Sequence, residues 1–69
     1  MKLTLKALRA QKNWSQEEAA KAVGINTNTW YNYEHGRSYP NVLVIRKIEK
    51  TFNVRYDDIL FLTKDMIKS

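Results

Sequence analysis

No cysteine occurs among the 69 residues. That excludes disulfide bonds and thiolate metal sites, the usual reinforcements of so small a core. Stability must therefore come from helix packing, with dimerisation as the remaining aid. There is a single proline, Pro40, and only two glycines, Gly24 and Gly36. So sparse a supply excludes a glycine-rich phosphate loop and any low-complexity linker. One histidine, His35, cannot build a histidine metal cluster. Asp57 and Asp58 are adjacent, and on a helix neighbours diverge by roughly 100°. They make a poor acid/base pair and a good helix start, so no enzyme, catalytic residue, cofactor or metal is expected. No apolar run approaches the roughly 18 residues of a membrane span, and Met1–Lys6 lacks the apolar stretch of a signal peptide. A cytoplasmic protein with no membrane partner is the default expectation.

Negative charge is also scarce. Lysine and arginine number 12 against 7 acidic residues, giving a net charge of +5. A field of that sign attracts polyanions, although basic composition alone is weak support for nucleic acid. The length allows one domain, residues 1–69, with 61–69 as a C-terminal extension.

Hydrophobic periodicity predicts five helices and no strand. Leu5, Leu8 and Arg9 share a face of the first, over roughly residues 3–12. Ser15 and Glu18 form a capping box for the second, with Trp14 placed to staple onto Ala19. Ala19, Ala20 and Val23 face inward, and Gly24 stops the helix. Asn26 caps the third, roughly Thr27 to Glu34, where Trp30 and Tyr33 share one face with Ile25. Asn41 caps the fourth, whose stripe reads Val42, Ile45, Ile48 and Phe52. The fifth starts near Tyr56, with Asp57 and Asp58 in its first turn and Ile59 and Leu60 following.

The segment of residues 16–34 is the most informative. Two short helices flank a glycine turn, and the second carries small polar side chains opposite its buried ones. Such a helix suits the DNA major groove, where amides and hydroxyls reach base edges.

The order of fragments is more specific than any one of them. Leu5-x-x-Leu8-Arg9 is followed by Trp14-Ser15-Gln16-Glu17-Glu18-x-Ala20 and Val23-Gly24-Ile25. Then come Trp30-x-x-Tyr33-Glu34-x-Gly36, Pro40, Val54 and Asp57-x-Ile59-Leu60. This pattern resembles the Cro/repressor-type helix-turn-helix family, also called XRE, over about residues 5–60. The resemblance implies an all-α, compact five-helix bundle of the lambda-repressor-like kind, with its third helix in the major groove. It also implies an ion pair between Arg9 and Glu34. A charge beside inward-facing Leu5 and Leu8 wants such a partner. Two departures stand out: Arg55 replaces the family's small hydroxyl residue, and Glu49 replaces a core-facing alanine. Trp30 and Tyr33 are also bulkier than the family's aliphatics.

By the same resemblance Thr27, Asn28 and Asn32 occupy base-reading positions, and Tyr31 lies on the same side. Asparagine pairs bidentately with adenine, and a threonine methyl meets the thymine methyl. Backbone contacts are expected from Gln16, His35, Arg37 and Asn41, near helix N-termini or in the loop after the third helix. Tyr39 is open between loop packing and DNA. Leu43, Val44, Phe61, Leu62, Met66 and Ile67 either pad the bundle or form a two-fold interface.

The expected function is sequence-specific binding of a double-stranded DNA operator, an inverted repeat, by a homodimeric transcriptional repressor of Cro-like or minimal type. The alternative is an antitoxin, or another interaction module, whose main partner is a protein.

Overall fold

The structure is a computed structural model that describes residues 2–62. The elements are β1 (Leu3–Thr4), α1 (Leu5–Gln11), α2 (Gln16–Val23), α3 (Thr27–Glu34), α4 (Val42–Phe52), a 3-10 turn (Tyr56–Asp58) and β2 (Ile59–Leu60).

Every α-helix begins on a side-chain cap. Thr4 Oγ1 accepts the Ala7 N–H at 3.1 Å. Ser15 Oγ accepts the Glu18 N–H at 3.1 Å, while the Glu18 carboxylate accepts the Ser15 N–H at 2.8 Å. Asn26 Oδ1 accepts from Thr29 at 2.7 Å, and Asn41 Oδ1 from Val44 at 2.9 Å. Each cap satisfies an N–H that the first turn leaves without a partner, worth about 1 kcal/mol. The turn between α2 and α3 depends on Gly24, whose φ of 89° lies in the left-handed region. There its N–H and that of Ile25 both donate to the Ala20 carbonyl, at 2.8 and 2.9 Å. A side chain at this position would strain the turn that sets α3 against α2.

The core gathers Leu5 and Leu8 from α1, Ala19, Ala20 and Val23 from α2, Trp30 from α3, Ile48 and Phe52 from α4, and Ile59 from β2. Small residues on α2 let α3 approach closely, and the large Trp30 ring fills the centre. It stacks on Phe52 with centroids 5.9 Å apart. Trp14 meets Phe52 edge-on at 5.6 Å, with the Lys12 ammonium 5.3 Å from its ring centroid.

Two expectations need correction. The fifth helix does not form among the described residues. After the 3-10 turn the chain extends, and β2 pairs in parallel with β1 in the register Leu3↔Ile59 and Thr4↔Leu60. Extended backbone delivers Ile59 into the core and gives its peptide groups partners on β1, which a helix would not. For the same reason α1 starts at Leu5 rather than near residue 3, and the chain is mostly helical rather than all-α. The second correction is the face of α4. Val42 is exposed, Ile45 is half-buried, and Val44 packs on the core instead. The buried stripe therefore runs Val44, Ile48, Phe52, an i, i+4, i+8 row.

The two departures from the family pattern, Arg55 and Glu49, both lie at the 3-10 turn. Arg55 supplies no side-chain cap to the 3-10 turn. Instead Glu49 reaches over from α4, and its carboxylate accepts the Tyr56 N–H at 2.7 Å. Asp58 accepts the Arg55 N–H at 3.3 Å. Glu49 thus gives the first N–H of the 3-10 turn an acceptor from α4. The expected packing of Met66 and Ile67, and most of the 61–69 extension, lie outside the described residues.

Candidate nucleic-acid interface

Helix α3 has two sides with different tasks. The inner side holds Trp30, Tyr33 and Glu34. Among the described residues Glu34 is the only charged one that is buried, and its carboxylate is surrounded by donors. Arg9 Nε and Nη2 donate to its two oxygens at 2.6 and 3.2 Å. Gln16 Nε2 donates to Oε1 at 3.1 Å, and the Trp30 indole N–H donates to Oε2. Arg9 Nη1 also donates to the Trp14 carbonyl at 3.0 Å. One carboxylate therefore clamps α1, the loop after it, α2 and α3 together. Burial pushes the Glu34 carboxyl up, but the hydrogen bonds from Arg9, Gln16 and Trp30 outweigh it and hold the group below the ordinary value of 4.5. Removing one partner of such a pair costs about 3–5 kcal/mol, because the other is left buried and uncompensated.

The outer side carries the side chains expected to read bases. Thr27 and Asn28 are exposed, and Tyr31 and Asn32 are half-buried. The helix beneath them is fixed by the clamp, so they project from a rigid base. Tyr31 is itself restrained. The His35 ring stacks on it at 3.9 Å and 25°, and the Arg37 guanidinium lies 5.6 Å from its centroid. His35 Nδ1 is 2.9 Å from the Tyr31 carbonyl oxygen. A carbonyl only accepts, so Nδ1 carries the proton in this contact. The Arg37 N–H donates to the Asn32 carbonyl at 2.9 Å, which folds the loop back under the end of α3. Tyr31, His35 and Arg37 thus form one unit at the C-terminal end of the helix.

The expected backbone-contact residues divide. Gln16, Tyr31 and His35 line a shallow cleft of about 410 Å³ together with Lys6, Arg9, Glu34 and Leu62. Gln16 sits there with one amide proton committed to Glu34. An amide nitrogen has two, so the second remains for a ligand. Lys6 was missed in the sequence. Its signal was the i, i+3 spacing from Arg9, which puts a second cation on that side of α1. Asn41 is not part of this cleft. It caps α4 and lines a separate groove with Tyr39 and Pro40. Tyr39 resolves toward loop packing: its hydroxyl is 2.7 Å from that of Tyr56, and its ring lies 4.9 Å from Phe61.

This geometry agrees with the comparison to known families. The family described as helix-turn-helix matches residues 5–59. The chain belongs to the helix-turn-helix family. The match runs from the start of α1 to the first residue of β2, so it takes in the clamp, the Gly24 turn and the whole of α3 in this helix-turn-helix protein. Similar proteins include MJ0272 of Methanocaldococcus jannaschii, an uncharacterized HTH-type transcriptional regulator that is 37% identical over 65 residues. That alignment covers 94% of this chain and 98% of the relative. YgzD of Bacillus subtilis, also an uncharacterized HTH-type transcriptional regulator, is 34% identical over 94% of this chain and 98% of its own length. The cryptic phage CTXphi transcriptional repressor RstR of Vibrio cholerae is 32% identical over 72% of this chain and 45% of its own length. Among the described residues of this helix-turn-helix chain, no group of three or more His, Cys, Asp or Glu side chains is placed to hold a metal ion. No described helix is long and apolar enough to cross a membrane.

Proposed function

We propose that this chain is a transcriptional regulator that binds a double-stranded DNA operator with α3 in the major groove, and that it acts as a repressor from the cytoplasm. One observation carries the reading: α3 is locked on its inner side by Glu34 while its outer side presents Thr27, Asn28, Tyr31 and Asn32. Asn28 and Asn32 pair with base edges, Thr27 makes apolar contact with a thymine methyl, and Tyr31 borders them. Arg37, His35, Gln16 and Lys6 grip phosphates on either side of that helix, and Asn41 does so at the start of α4. The printed role of RstR supports repression, and those of YgzD and MJ0272 support regulation more broadly.

Two copies on an inverted repeat would set their recognition helices about 34 Å apart, one turn of DNA. Selection of bound sequences from a random duplex pool tests the whole reading. Enrichment of an inverted repeat is the expected result. No enrichment at low ionic strength, where phosphate attraction is strongest, would remove it. The antitoxin alternative draws on the exposed Tyr39, Val42 and Leu43. A stoichiometric protein partner, with no DNA sequence selected, would favour it.

A further inference from the structure

His35 is the chain's one histidine, and it closes α3 as its C-cap. Three contacts fix it. Its ring stacks on Tyr31. Nδ1 donates to the Tyr31 carbonyl, and the backbone N–H of His35 donates to the same oxygen at 3.0 Å. The place of the ring proton follows from that acceptor. A neutral imidazole has one N–H, and the Tyr31 carbonyl keeps it on Nδ1. Nε2 is left with a lone pair, on an exposed residue that lines the cleft with Lys6 and Gln16. The oxygens of a DNA phosphate are anionic and only accept. A lone pair set against them repels, so the neutral ring has nothing to offer a phosphate through Nε2. The imidazolium donates from both nitrogens, and serves the carbonyl and a phosphate at once.

The groups around the ring suit such a step. Lys6 and Arg9 face the cleft from α1, Glu34 and the Tyr31 phenol from α3, and the Arg37 guanidinium lies over the Tyr31 ring from the loop beyond. Gln16 of α2, and Leu62 after β2, bring no charge. Arg9 is engaged by Glu34, which leaves Lys6 to draw an anion into the cleft. An anion seated there favours a cation on the adjacent ring. The carbonyls that end α3 favour positive charge at the same place.

We infer that His35 grips a DNA phosphate only as the imidazolium, so that the chain takes up a proton at this residue when it binds duplex. The inference rests on the DNA-binding reading and adds a condition to it. The bound ring keeps its proton to higher pH than the free ring. The added affinity is therefore complete at acidic pH and is lost as pH rises through the bound ring's titration. The test measures the dissociation constant for the selected operator at fixed salt between about pH 5.5 and pH 8, the range in which histidine titrates. Glu34, held below 4.5, stays charged throughout, so the clamp adds no response of its own. Affinity is expected to fall about tenfold toward the alkaline end, which is the change that one pKa unit of displacement brings. The slope of log affinity against log salt should be steeper by about 0.9 at the acidic end, where one more phosphate is neutralised. Heats of binding in two buffers of different ionisation enthalpy should show net proton uptake near neutral pH. His35→Gln, whose amide donates at any pH, and His35→Phe, which keeps a ring for Tyr31 but has no nitrogen, should both abolish the pH response and the uptake. His35→Phe should hold the parent's alkaline affinity across the range. An operator bound equally well from end to end, with one salt slope, overturns the inference. So does a pH response that both variants retain. Either result leaves the operator reading standing, because sequence selection does not depend on this proton. A chain that binds no duplex at any of these pH values removes both.

Discussion

Helix α3 turns two unlike sides to the molecule within eight residues. The inner side is closed: Trp30 is fully buried, and Glu34 spends both oxygens on three donors from three helices. The outer side is open, and Thr27 and Asn28 stand in water. The inner side decides where the helix lies. The outer side decides what it meets. If that division is right, inner substitutions should act on stability and outer ones on binding, with little crossing between them.

The most severe break is Trp30→Ala. It empties the centre of a core that also depends on the Trp30–Phe52 stack, and it removes a donor to Glu34. A loss of about 3–5 kcal/mol is expected from the cavity alone. A domain of this size has little more than that in hand, about 5 kcal/mol or somewhat above. Circular dichroism at 25 °C should show a chain that is largely unfolded without denaturant.

Glu34→Gln is the next largest and separates charge from shape. It keeps the size of the side chain but leaves Arg9 without its counter-charge, at an expected cost of about 3 kcal/mol in urea denaturation. The pH dependence sharpens this. Folding holds the Glu34 carboxyl below its usual value of 4.5, so the unfolded chain binds more protons in the window beneath 4.5. The stabilisation is complete above that value and disappears as pH falls through the folded value. Glu34→Gln should lose this component, so its stability should change less than the parent's over the same acidic range. An equal acid response in both proteins would place the titrating group elsewhere.

The two sides also differ in how well they can be read from sequence. Caps are local, so Ser15, Glu18, Asn26, Asn41 and the Gly24 stop were legible from a few neighbouring residues. The inner side of α3 was legible because Trp30 and Tyr33 are three apart, and the family resemblance implied the pairing of Glu34 with Arg9. The course of the chain after Phe52 was not. Asp57 and Asp58 favour a helix start, but that local preference competes with β1, more than fifty residues earlier, whose peptide groups capture Ile59 and Leu60. Periodicity also failed on α4, because Val42 and Val44 are alike in chemistry and only tertiary packing chooses between them. The link from Glu49 to the Tyr56 N–H could not be seen either, since it crosses from one element to the next. At the candidate interface the sequence indicated which residues face outward. It did not indicate that Tyr31 is held between His35 and Arg37, or that Gln16 shares Glu34 with Arg9.

On the outer side, Asn28→Ala and Asn32→Ala are expected to leave stability within about 0.5 kcal/mol, as surface changes do. Each should weaken binding to the selected operator by about 1–3 kcal/mol and binding to random duplex much less. Equal losses on both DNAs would take these side chains out of base readout. A large fall in stability would instead erase the division between the two sides of the helix.

Arg37→Ala is the smallest change and probes the boundary between the sides. Its guanidinium rests against Tyr31, yet its charge faces solvent. An exposed cation over a ring at the surface contributes about 0.5–1 kcal/mol, so removing Arg37 should barely alter stability. Its effect on DNA should instead be uniform: operator and random duplex both weaken, and the slope of log affinity against log salt falls by about one unit, the contribution of one phosphate. Arg37→Lys separates the two roles. It keeps a cation for the phosphate but loses the planar group that lies on the tyrosine ring. If Arg37 acts through charge, lysine restores the slope. If it acts by holding Tyr31 against the end of α3, lysine should behave like alanine, and the loss should fall mainly on the operator.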